Sequence, residues 1–154
     1  MNTEKKGHPA GLYLVFFTGM WERFSYYAMR GILVLYLTAT CLNGGLGYDE
    51  KFSTTVYGLA TGLCYFTPLF GGWLSDRYLG QRKSILIGGF IMVLAQFLLF
   101  APELFTTVSP NLTPEQLAHN EFIGRVGLFA GLFLLIIGNG FFKPNISSIV
   151  GDLY

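Results

Sequence analysis

The sequence predicts an all-α integral membrane protein with four membrane-spanning helices, and three observations carry that prediction. Hydrophobic residues fill 52% of the 154 positions and charged residues only 12%, a balance that excludes a disordered chain and argues against a soluble domain. The apolar residues gather into four runs, each long enough at about 1.5 Å per residue to cross a hydrocarbon core of roughly 30 Å. Between the runs lie short segments rich in Gly, Pro and charge, the punctuation expected at membrane surfaces.

The polar leader, residues 1–10, contains Lys5 and Lys6 and is followed by no typical cleavage site, so a removable signal peptide is not expected. The first span, about 11–42, is broken by Asn43-Gly44-Gly45-Leu46-Gly47 and the charges Asp49, Glu50 and Lys51. The second, about 52–75, has no charge between Ser53 and Leu74. A polar turn from Ser75 to Lys83 leads to the third, about 83–102, which Pro102 and Glu103 interrupt. From Pro102 to Glu121 the prolines 110 and 114 lie among Thr, Ser and Asn, which predicts an exposed connection with a helical turn from Pro114 onward. The fourth span, about 122–150, has an uncharged core from Val126 to Phe142, and Lys143-Pro144-Asn145 predicts a proline kink.

Loop charges orient the spans. Lys5, Lys6, Arg77, Arg82 and Lys83 fall on one side against Lys51 on the other, so the positive-inside rule puts the N-terminus in the cytoplasm. Gly58, Gly62, Gly71, Gly72, Gly88, Gly89, Gly127 and Gly131 are expected at close helix contacts. Cys41 and Cys64 stand apart from each other and from His, so metal or redox chemistry has no support. The net charge of +1, spread without a basic block, gives no reason to expect nucleic acid as a partner. His8 and His119 lie in polar segments, and no nucleophile–base pair appears, so an enzyme is not expected.

The first span holds the feature that needs a function. Glu22, Arg23 and Arg30 sit inside it, and a charge near the centre of a spanning helix costs about 2.5–3.5 kcal/mol on an insertion scale. At about 100° per residue, positions 19, 22, 23, 26, 27 and 30 share an arc of roughly 140°, so Glu22, Arg23, Tyr26, Tyr27 and Arg30 form one polar face. Such a face belongs against a water-filled site. With Lys143 the embedded set has one acid against three cations, and the excess calls for an anion. The planar fork of Arg suits a carboxylate, while Lys offers a compact charge.

The run Trp21-Glu22-Arg23-Phe24-Ser25-Tyr26-Tyr27-Ala28-Met29-Arg30 resembles the first-helix motif of proton-dependent oligopeptide transporters, a branch of the major facilitator superfamily. Gly71-Gly72-Trp73-Leu74-Ser75-Asp76-Arg77-Tyr78-Leu79-Gly80-Gln81-Arg82-Lys83 is similar to that family's loop between second and third helices, and Gly138-Asn139-Gly140-Phe141-Phe142-Lys143-Pro144-Asn145 to its fourth helix. The resemblance implies proton-coupled symport of di- and tripeptides by alternating access, in the plasma (cytoplasmic) membrane, with protons as the coupling ion and no other cofactor. It implies that Arg30 and Lys143 bind the peptide carboxylate, that Tyr26, Tyr27 and Tyr65 line the pocket, and that Glu22, Arg23 and Lys143 couple protons. Asp76, Arg77, Arg82 and Lys83 resemble a cytoplasmic gate.

Two departures from the family qualify that expectation. The motif's second acid, three residues before its glutamate, is here Gly19, which has no proton to exchange. Four spans also make up only part of the N-terminal six-helix bundle, so the acid for the peptide's amino end and the opposite gate are expected from a C-terminal half beyond this sequence. A truncated, non-transporting membrane protein that associates with other subunits, or a carrier of nitrate or another small anion, are the alternatives.

Overall fold

The computed structural model describes residues 10–109 and 111–152; the leader with Lys5, Lys6 and His8, Pro110, and residues 153–154 lie outside the described residues. Four long helices make up the fold: α1 (Ala10–Thr38), α2 (Glu50–Leu74), α3 (Gln81–Phe105) and α4 (Pro114–Asp152), with no strand among the described residues. Lengths of 29, 25, 25 and 39 residues all exceed what a bilayer crossing needs. By length and composition together, α3 and α4 are apolar enough to cross a membrane. The charges of α1 set it apart from that pair.

Local sequence explains where the helices stop. α1 ends at Thr38, four residues short of the predicted span, and Cys41–Asn43 form a single 3-10 turn closed by Gly44 at φ 80°. The chain then folds back on the end of α1, with Leu46 N–H donating to Tyr36 O and Tyr48 N–H to Leu37 O. That return places Leu46 against Gly124 of α4. Asp49 caps α2 by accepting from the Phe52 N–H at 3.2 Å. A five-residue π turn, Ser75–Leu79, and Gly80 at φ 76° separate α2 from α3, a tighter link than the polar turn expected through Lys83.

The predicted connection from Pro102 to Glu121 shrinks to residues 106–113. α3 runs on through Pro102 to Phe105, and Pro102 is buried where its ring meets α4 beside Gly127. α4 starts at Pro114, because Thr113 and Gln116 cap it reciprocally: Gln116 N–H donates to Thr113 Oγ1 and Thr113 N–H to Gln116 Oε1. The buried Asn120 then pins the link through Thr107, donating to its carbonyl at 2.8 Å. α4 continues as one helix through Lys143 and Pro144.

α4 is the packing centre, with α3 along one side and α2 along another. Small residues bring the backbones together: Gly88 faces Gly138, Gly127 and Gly131 face α3, and Gly71 lies directly on the Gly140 carbonyl. Thr67 of α2 also donates to Ile136 O of α4 at 3.1 Å, and buried Ser75 donates to Asn145 Oδ1 at 2.6 Å. Of the glycines expected at contacts, Gly58 and Gly62 have nothing within 4 Å of where a side chain would stand, because their side of α2 points away from α4. Large apolar groups such as Phe66, Phe70, Phe90 and Phe97 lie exposed, a surface suited to lipid or further helices. Both cysteines are free thiols, Cys64 buried and Cys41 half-buried.

These contacts separate the two kinds of glycine by experiment. Gly71→Ala drives a methyl into the Gly140 backbone and should cost about 1–3 kcal/mol of stability. Gly58→Ala, entering open space inside a helix, should be neutral or stabilising by up to about 1 kcal/mol. Thermal unfolding of the detergent-solubilised protein reads both; equal melting points would contradict the packing described.

Candidate functional site

The site grows from one stripe of α1. Glu22, Tyr26 and Arg30 are spaced four residues apart and so rise along one side of the helix, and below them the buried stripe continues as Met29, Leu33 and Leu37. Burial of that apolar continuation against α2 and α4 fixes which way the polar part faces. Glu22 is only 7% exposed and Tyr26 only 3%, while Arg30 is half-buried.

α4 delivers the partner for the acid. Lys143, three residues beyond the Gly140 contact, holds its Nζ 3.7 Å from Glu22 Oε1 and 4.4 Å from the centre of the Tyr26 ring. The two interactions answer the burial: a carboxylate in the helix packing needs a counter-charge, and a cation over an aromatic face gains from the ring's quadrupole. Tyr65 of α2 also faces the ammonium, its ring centre 5.6 Å away. One described cation is therefore committed to the one buried acid.

Arg30 is committed differently. Its Nε and Nη2 donate to the Tyr57 hydroxyl at 3.0 and 2.6 Å, and its Cζ lies 5.6 Å from the Tyr26 ring centre and 5.4 Å from that of Tyr57. Among the described residues it has no acid partner. Its fork is oriented by neutral groups and keeps its charge uncompensated. Tyr57 was not singled out from the sequence, although it lies eight residues before Tyr65, two helical turns, and therefore on the same face of α2.

The remaining predicted residues fall outside this cluster. Arg23 is exposed and makes no hydrogen bond or ion pair among the described residues. Tyr27 is 59% exposed and touches the cluster only edge-on, its ring centre 5.6 Å from that of Tyr26. Asp76 and Arg77 sit in the π turn and Arg82 and Lys83 in the first turn of α3, all exposed and without an ion pair among the described residues. Arg77 instead lies over the rings of Trp73 and Tyr78, at 5.8 and 5.7 Å. Gly19, half-buried on α1, has nothing within 4 Å of where a side chain would start.

Helices of bilayer length, lipid-suited outer surfaces and a charged cluster between α1, α2 and α4 define a helical integral membrane protein with an intramembrane polar site. The PTR2 model of the POT family matches residues 82–154 of the chain. The chain is 40% identical to a di-/tripeptide transporter of Lactococcus lactis, across 99% of this chain and 27% of that protein. To an uncharacterised transporter of Bacillus subtilis, YclF, it is 36% identical across 96% of this chain and 26% of the relative. Among solved structures it superposes on the peptide transporter POT in complex with sulfate, with a TM-score of 0.79 and 37% identity, across 98% of this chain and 27% of that one. A POT family transporter in complex with 5-aminolevulinic acid gives 0.77 and 35%. The chain thus spans about a quarter of the length of the relatives it matches, and those relatives are transporters.

The ion pair can be tested without any substrate. Glu22→Gln or Lys143→Met alone should lower stability by about 1–3 kcal/mol, each stranding the other partner, and the double variant should lose less than the two losses added. Melting points that add would remove the pairing.

Proposed function

We propose that this chain supplies one wall of the substrate and proton site of a proton-coupled di- and tripeptide symporter. The observation that carries the reading is Arg30: a half-buried guanidinium, held in place by Tyr57 and Tyr26, with no acid partner among the described residues. A peptide C-terminal carboxylate is the anion it fits, because a fixed planar fork can offer it two parallel hydrogen bonds. Lys143 is the second contact, and Tyr26, Tyr27, Tyr57 and Tyr65 give the pocket its aromatic wall. The relatives' names favour peptides over nitrate as cargo.

The coupling step follows from the Glu22–Lys143 pair. A proton taken up by Glu22 removes its charge, releases the ammonium of Lys143 and so frees it for the substrate carboxylate. Loss of that proton restores the pair and displaces the carboxylate. Arg23 acts, on this reading, from the exposed side of the same helix turn. The peptide's ammonium requires an acid outside the cluster, since the other described acids lie at or near helix ends; the C-terminal length of the relatives is its source. Asp76, Arg77, Arg82 and Lys83 form the cytoplasmic gate of an alternating-access cycle, in the plasma membrane with the N-terminus cytoplasmic.

Uptake of a labelled dipeptide into vesicles carrying the full-length polypeptide, driven by a pH gradient, is the test. Arg30→Ala and Lys143→Ala should reduce it to background while the protein remains inserted; wild-type uptake by both would end the assignment. With Gly19 in the place of an acid, uptake should depend only weakly on the pH gradient. Gly19→Glu, for which there is room, should steepen that dependence. An unchanged pH profile would show that Gly19 does not limit coupling.

A further inference from the structure

The side of α1 turned toward α3 is open. A cavity of about 980 Å³ reaches from Phe17 past Glu22 to Met92, and a second, of about 420 Å³, continues from Ala28 to Tyr36 against Leu99. Between them one hydrogen bond crosses: Gln96 Nε2 of α3 donates to Ser25 Oγ of α1. Ser25 and Gln96 line both cavities, so the bond crosses from α3 to α1 where the two cavities adjoin. Ser25 directly precedes Tyr26 and lies one turn after Glu22.

We propose that Gln96 is a positioning residue that acts through Ser25 to set the rotation of α1, and with it the approach of Glu22 and Tyr26 to Lys143. The inference rests on the reading of that cluster as the substrate and proton site. Its geometry is sensitive to rotation: with side-chain tips roughly 6 Å from the helix axis, a turn of about 10° shifts them by about 1 Å. The Glu22–Lys143 contact, at 3.7 Å, is already long and does not survive such a shift outward. Met92, Val93, Phe97 and Phe100 line the larger cavity beside the bond, so loss of either partner leaves the other beside a mostly apolar wall.

Gln96→Met removes the donor at nearly constant length, Ser25→Ala removes the acceptor, and Ser25→Thr keeps a hydroxyl. In the full-length polypeptide, the melting-point coupling between Glu22→Gln and Lys143→Met should shrink when measured in the Gln96→Met background. Dipeptide KM should rise roughly two- to tenfold with little change in maximal rate for Gln96→Met and for Ser25→Ala, no further for the two combined, while Ser25→Thr stays near wild type. Ser25→Ala carries the same melting test should Gln96→Met fold poorly. Undiminished Glu22–Lys143 coupling, or an unchanged KM in both variants, overturns the proposal. If the wild type moves no peptide at all, the transport reading fails while the melting cycle still decides the role of the Gln96–Ser25 bond.

Discussion

A carboxylate buried in a helix of bilayer length is the constraint on which the rest of this structure depends. Glu22 is almost fully removed from solvent, and leaving it unpaired there would cost more than a domain of this size can spare. Lys143 answers it from α4 and Tyr26 shields the pair, so three groups from two helices must arrive together. Every other placement in the cluster can be traced to that requirement. Arg30 stands one turn beyond Tyr26, and Tyr57 and Tyr65 of α2 close the same volume from the side.

The meeting is possible because α4 is held by contacts that do not involve α1. Gly71 on Gly140 and Gly88 on Gly138 bring α2 and α3 to backbone contact with α4, and the Ser75–Asn145 hydrogen bond ties the π turn after α2 to α4 within a turn of Lys143. A side chain on so constrained a helix has little freedom in where its charge stands. α1 is held by its buried stripe Met29, Leu33 and Leu37 and by the polar contacts of Glu22 and Arg30, with cavities on its α3 side.

The four helices were legible because hydrophobic length is a strong signal and their interruptions carry Gly, Pro and charge. Their ends were less so. The start of α4 at Pro114 was written in Thr113-Pro114-Glu115-Gln116, a capping box with proline at the first helical position, but the surrounding prolines and polar residues read more readily as a loop. The polar face of α1 was legible as an arc of about 140°, which is wider than what one packed interface covers. Packing therefore split it: Glu22 and Tyr26 turn in, Arg23 and Tyr27 turn out. Tyr57 escaped notice because a lone tyrosine carries no signal until Arg30 is placed opposite it. The openness around Gly58 and Gly62 likewise depends on which side of α2 meets α4, a tertiary fact that glycine content alone does not encode.

The division of labour between the two cations follows from charge bookkeeping on this geometry. Their distances to the Tyr26 ring place the Arg30 and Lys143 charges within about 10 Å of each other, so at an effective dielectric of about 20 they repel by roughly 1.7 kcal/mol or more. Glu22, beside Lys143, offsets that repulsion while it is ionised. With Glu22 neutral, no other described group of the cluster offsets it, and the proposed substrate carboxylate would take that part between the two cations. Under the proposed function the acid and an incoming anion would compete for the same ammonium, and that competition would give a single proton leverage over a substrate it never touches. Arg30, held by a neutral hydroxyl rather than an acid, would stay outside that competition and, on the same proposal, offer its fork to the carboxylate in either protonation state.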